Sequence, residues 1–216
     1  MKNGIRANNK HSYIDFGIEI AERKISTPSQ KRITETVPYM SGEYDFSNLD
    51  GEIALENREL SYSFEIAELS TTLMEQKKRK ILSWLYSIVD MDIYDDYLSD
   101  YYFHGSLEKI DWSEDFGKGV LNVTFSVYPY MFEIQETTVK FSVNDKLDAL
   151  IELNSAHQII PQISVSNEVN IKINEKSFSL SKGDYCYEDL KFKSGTNKIC
   201  LEGTSEVIFK YRNELI

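Results

Sequence analysis

Apolar and polar residues alternate strictly over residues 58–66. Leu60, Tyr62, Phe64 and Ile66 fall on one side of an extended chain, and Glu59, Ser61, Ser63 and Glu65 on the other. That period of two predicts a strand with one face in a core. Just downstream the period lengthens: Met74, Ile81, Leu85 and Ile88 fall near one helical stripe, widened by Leu73, Leu82 and Val89, with Trp84 on its buried side or edge. Thr72-Leu-Met-Glu75 has the spacing of a capping box, which places the helix start there. An amphipathic helix of this kind needs a sheet to lie on.

The remaining segments supply strands. Asn8-Asn9 sits between extended flanks and predicts a tight hairpin, because asparagine tolerates the left-handed backbone such turns require. Residues 18–23 suit either a strand or one turn of helix. Residues 32–37, β-branched and bounded by Pro28 and Pro38, predict a further strand. From residue 38 to 50 the pattern is that of a loop, with Gly42, Asn48 and Gly51 as turn formers. This loop nevertheless carries Tyr39, Met40, Tyr44 and Phe46, which either cover the domain's own core or contact another subunit. Residues 118–127 alternate again, with Leu121, Val123, Phe125 and Val127 inward. Past Glu133 only short strands follow, at 139–143, 159–165, 168–173, 177–180, 197–201 and 207–212, the signature of a small β-sandwich. The chain is therefore expected to be mainly β: an N-terminal β-sandwich-like domain with one helix over 1–133, then a C-terminal β-sandwich over 134–216.

Charge narrows the function. The 216 residues carry a formal charge of −11, which disfavours binding nucleic acid by neutralising phosphates. The basic run from Lys77 to Lys80 reads as a solvated helix flank in that context. No run of 18 apolar residues predicts a membrane span, and the polar start of the chain lacks a signal-peptide core, so a cytosolic origin is expected. Cys186 and Cys200 are read as free thiols. His11, His104 and His157 are too dispersed for a local metal motif, and His11 and His104 are read as structural. The aspartates of residues 92–100 lack the glycine and closing glutamate of a calcium loop and read as a solvated turn. GxSxG, Walker A and GxGxxG motifs are all missing, and no enzyme, cofactor or metal is expected.

The ordered set Gly4-Ile-Arg6, His11-Ser-Tyr-Ile-Asp-Phe-Gly17, Val37-Pro38 with Gly42 and Asp45, Glu56-Asn-Arg58, the strand and helix, Tyr102-Phe-His-Gly105 and Tyr128-Pro-Tyr130 resembles the distal tail (Dit) proteins of siphophages. Residues 195–203 and 207–212 look like the last strands of that family's galectin-like C-terminal domain. Leu55 stands where relatives often carry an aromatic residue before Glu-Asn-Arg. The chain resembles the short form of the family, without inserted receptor- or carbohydrate-binding modules. The resemblance implies a homo-oligomeric, hexameric ring at the virion tail tip, made in the bacterial host cytoplasm. Its implied partners are the major tail tube protein above and a tail-associated (Tal-like) baseplate protein below, with a receptor-binding protein as a further partner and no membrane. DNA would pass through the channel without specific binding, helped by an acidic wall. Tyr39, Met40, Tyr44 and Phe46 are the candidate assembly residues of the loop. In a ring, the flank that carries Lys78 and Arg79 could instead of facing solvent meet the acidic turn of residues 92–100, with Asp95 and Asp96, in a neighbouring subunit. The alternative is a carbohydrate-binding module contacting host cell-wall glycans through Trp84, Trp112 and the tyrosines.

Overall fold

The computed structural model describes residues 3–47, 53–115 and 118–216; the turn formers Asn48 and Gly51 lie outside them. Two units emerge, Met1–Met131 with Ile216, and Phe132–Leu215.

In the first unit, β1 (Ile5–Ala7) and β2 (Lys10–His11) form the expected hairpin, with φ of 47° at Asn8 and 58° at Asn9. A short helix α1 (Ser12–Phe16) follows, stopped by Gly17 in the left-handed region. His11 caps it: Nδ1 accepts from the amides of Tyr13 at 3.1 Å and Ile14 at 3.2 Å, while its own amide donates to Asp15 at 2.7 Å. Nδ1 as acceptor puts the proton on Nε2, which lies 2.9 Å from Asp96. A Cβ at Gly4 would stand 2.5 Å from the His11 ring, so only glycine lets β1 pass so close. The motif segments at the start of the chain thus interlock physically.

β3 (Glu19–Ile25) resolves the ambiguous segment as a strand. Next come β4 (Thr34–Glu35), β5 (Tyr44–Asp45), β6 (Arg58–Ala67), α2 (Thr71–Leu85), β7 (Met91–Asp95), β8 (Tyr101–Asp115) and β9 (Lys118–Val127). The main sheet runs β2-β1-β7-β8-β9-β6-β3, and β4-β5 stand apart as a two-stranded sheet. β6 and β9 pair antiparallel from Arg58–Val127 to Ala67–Lys118. That register aligns Leu60, Tyr62, Phe64 and Ile66 with Phe125, Val123 and Leu121 on one buried face, against Met74, Ile81, Trp84, Leu85 and Ile88. Arg58 is also buried on that face, 4.8 Å above the Phe103 ring, with Nε and Nη2 unpartnered; burial lowers its pKa.

Two details of α2 depart from expectation. Ser70 is the N-cap and the helix begins at Thr71, so Thr72 lies inside the first turn and the capping box does not form. Glu75 instead approaches Lys78 at 3.8 Å, one helical turn on. Leu73 and Val89 do not widen the buried stripe; both are exposed. The strand expected over 32–37 shrinks to the two residues of β4, whose ladder partner among the described residues is the two-residue β5.

β10 (Met131–Glu133) begins on Met131 of the first unit, and the second unit holds β11 (Thr137–Leu153), β12 (Gln162–Val165), β13 (Val169–Ile173), β14 (Lys176–Leu180), β15 (Gly183–Tyr185), β16 (Gly195–Tyr211) and β17 (Glu214–Leu215). β11 and β16 pair along their whole length. Asp145 and Gly203 face each other in that ladder with φ of 78° and 137°, next to the point where the partner of β16 on its other edge changes. One half of β16 pairs with β13 and, through it, β14; the other half pairs with β12 and then β15. Inward residues of both halves, Ile151, Leu201, Ile171 on one and Val143, Phe209, Ile163 on the other, join a single core. Segments that read as separate strands, 197–201 and 207–212, are therefore one strand.

Candidate assembly interface

The loop aromatics do not fold back on the core. Residues 26–47 and 53–57 form an arm between β3 and β6. Its root is a ribbon held by backbone bonds: Ser26 to Glu59 at 3.0 Å, Lys31 to Ala54 at 2.8 Å and Glu56 to Ser29 at 2.8 Å. The Ser29 hydroxyl also donates to the Glu56 carboxylate at 2.6 Å. At the tip, Thr34 faces Asp45 and Glu35 faces Tyr44. The Phe46 amide donates to Ile33 O at 2.8 Å, and the Met40 amide to Val37 O at 3.1 Å.

Strand alternation then puts Ile33, Glu35, Tyr44 and Phe46 on one face of this hairpin and Thr34 and Asp45 on the other. The Tyr44 and Phe46 rings stack at 6.2 Å. Tyr39 is fully exposed at φ +70°, and Ile33, Val37, Met40 and Tyr44 are each more than a third exposed. A two-stranded hairpin with no layer behind it is marginally stable alone, so this apolar face needs a covering surface. Hydrogen bonds from Ser47 hold the Asp45 carboxyl below the usual range and keep it ionised at the tip.

α2 brings Lys78 and Arg79 to the same unit. Lys78 lies 5.0 Å over the Trp112 ring, and Lys77 pairs with Glu68 at 2.9 Å. Arg79 and Lys80 are exposed, and among the described residues neither has an ion-pair partner. Leu69 is fully exposed just before the helix, Leu73 half exposed within it, and Tyr86 and Val89 are exposed after it. These apolar positions carry no interface signal in the sequence, and the pattern places Leu73 and Val89 inward because they border the buried stripe.

Asp95 is closed to a neighbour's lysines, while Asp96 is exposed but bound within its own subunit. Asp95 is buried, and its Oδ2 accepts from Arg23 Nε at 2.6 Å and Tyr62 Oη at 2.8 Å. Asp96 Oδ2 accepts from the Gly4 amide and from His11 Nε2, both at 2.9 Å. The acidic segment is thus partly a structural anchor for the sheet edge. His104 sits between Asp92, 2.8 Å from Nδ1, and Asp90, 3.0 Å from Nε2; the bond to Asp92, aided by Asp90, raises its pKa.

On the second unit an open groove of about 590 Å³ is lined by Lys146, Asp148, Lys172, Lys198, Cys200 and Glu202. Lys146 and Glu202 pair there at 2.8 Å, and the Asp148 carboxylate beside Cys200 pushes its thiol up, away from a reactive thiolate. Among the described residues no cluster of three or more His, Cys, Asp or Glu side chains is arranged to hold a metal. The tryptophans offer little to a sugar: Trp84 is buried, stacked on Phe16 at 4.9 Å with Nε1 donating to Ala7 O at 2.9 Å, and Lys78 covers Trp112.

No family model matches the sequence, and no curated protein matches it significantly. Among solved structures, the chain is similar to the Dit protein (gp 19.1) of phage SPP1, described as a paradigm of the hub adsorption apparatus of phages that infect Gram-positive bacteria. The TM-score is 0.74 at 12% identity, over 98% of this chain and 99% of that one. A mainly β fold shared from end to end at such low identity shows common architecture.

Proposed function

We propose that this chain is a structural subunit of a phage tail tip, a distal tail hub protein rather than an enzyme. The observation that carries the reading is the fold shared with the SPP1 hub protein over 98% of the chain. The exposed apolar arm supports it, since a face built without its own core is what an assembling subunit presents. In this reading the first unit closes a hexameric ring through a head-to-tail contact, in which different patches of identical subunits meet and need no catalytic residue. The ring docks on the tail tube protein on one side and a Tal-like baseplate protein on the other, and a receptor-binding protein is a further partner. DNA passes through the channel unbound. Tyr39, Met40, Tyr44 and Phe46 of the arm make the subunit contact. Light scattering on the purified chain tests ring closure directly.

A further inference from the structure

The arm supplies one half of a contact, and the chain itself carries a surface that fits as the other half. We propose that the arm of one copy docks on the outward face of α2 of a second copy. This rests on the ring reading above and names its receiving surface.

Charge is the first argument. Over its described length the arm carries Glu35, Glu43, Asp45 and Glu56 against Lys31 and Arg32, and its tip, residues 34–47, carries the first three acids and no basic residue. α2 is the opposite: Lys77, Lys78, Arg79 and Lys80 with only Glu75 against them, the one run of four consecutive basic residues in a chain of net charge −11. Lys77 and Lys78 are engaged within their own subunit, by Glu68 and Trp112, which leaves Arg79 and Lys80 as the cations directed at solvent.

Apolar pattern is the second. On the arm, Ile33, Tyr44 and Phe46 share a face with Glu35, so an acid sits inside an apolar patch. On α2, Leu73 and Lys80 share a face seven residues apart, about 10 Å along the axis. Leu69 extends that face at one end, and Tyr86 and Val89 lie beyond the other. A cation sits inside an apolar patch there. Each surface is exposed in the same chain, so neither covers the other, and each needs a partner that a second copy provides. Because the patches differ, every copy in a row is left with one of each unless the row closes on itself.

Two full-length variants test the pairing. A photocrosslinking benzoylphenylalanine in place of Tyr39 should give an intermolecular adduct whose second peptide falls within residues 69–89. Arg79→Glu with Lys80→Glu should weaken self-association by about tenfold or more, and adding Glu35→Lys with Glu43→Lys to the same chain should restore it. Far-UV circular dichroism checks that each variant folds. If the wild-type chain forms its ring but the reversals leave the mass unchanged and the adduct maps elsewhere, the α2 assignment is wrong and the ring stands. A wild-type chain that stays monomeric at every concentration overturns the ring reading and this pairing with it.

Discussion

Tyr62 Oη donates a hydrogen bond to Asp95 Oδ2 at 2.8 Å beneath the main sheet, joining the middle of β6 to the end of β7. The same oxygen takes Arg23 Nε at 2.6 Å, so β3, β6 and β7 converge on one buried carboxylate. Asp95→Asn keeps the shape but removes the charge that compensates the guanidinium. Weakening this half-buried pair should cost about 2 kcal/mol, read as a lower midpoint in urea at unchanged slope. Burial, then the adjacent Asp95 charge and bond, raise the Tyr62 pKa well above its ordinary value. In a spectrophotometric titration its phenolate should appear only with unfolding.

His104 should titrate above an ordinary histidine, because its bond to Asp92, and then Asp90, favours the imidazolium. A pKa higher in the folded chain than in the unfolded one adds stability fully present below about pH 6.5. That contribution fades as pH rises through the folded value. The stability difference between wild type and His104→Gln should therefore be larger near pH 5.5 than near pH 8. Asp92→Asn should move the His104 signal in a histidine-resolved NMR titration down toward the ordinary value. All three side chains are at least two-fifths exposed, so the effect on stability is screened and small.

Asn197 should be the most sensitive polar position of the second unit. It is fully buried at the start of β16, and its Oδ1 accepts from the Lys193 amide at 2.8 Å and Asn174 Nδ2 at 3.0 Å. Its Nδ2 donates to Lys193 O at 2.8 Å and Gly195 O at 3.2 Å. Asn197→Ala strands those backbone groups and should lower stability by about 3 kcal/mol, measured by thermal or urea unfolding. Asn197→Asp keeps the acceptor but turns a carboxylate oxygen on the carbonyls of Lys193 and Gly195, and should cost at least as much.

Periodicity read the two alternating strands and the buried residues of the helix correctly, because β6, β9 and α2 each bury one face, which leaves a period of two or a 3.6-residue stripe in the chain. Positions bordering the stripe were harder. Leu73 and Val89 look like core by composition, yet Leu73 lies one helical step off the buried Met74 and Val89 lies past the end of α2, and both are exposed. Turn chemistry misled in the second unit: Asn144-Asp145 reads as the end of a strand, yet Asp145 stays paired with Gly203 in an unbroken ladder despite its left-handed backbone. In the candidate interface, Tyr39, Met40, Tyr44 and Phe46 were legible as apolar residues in a turn-rich segment. Asp95 and Asp96 were not legible as anchors, because their partners Arg23, Tyr62, Gly4 and His11 lie between 33 and 92 residues away in sequence.

Ring closure is the claim on which the rest depends, and the mass of the purified full-length chain in solution tests it most directly. Multi-angle light scattering across a concentration series should give about 150 kDa, six copies of the 25.1 kDa chain, with a plateau rather than continued growth. A single species near the 25.1 kDa of one chain at every concentration would contradict the account.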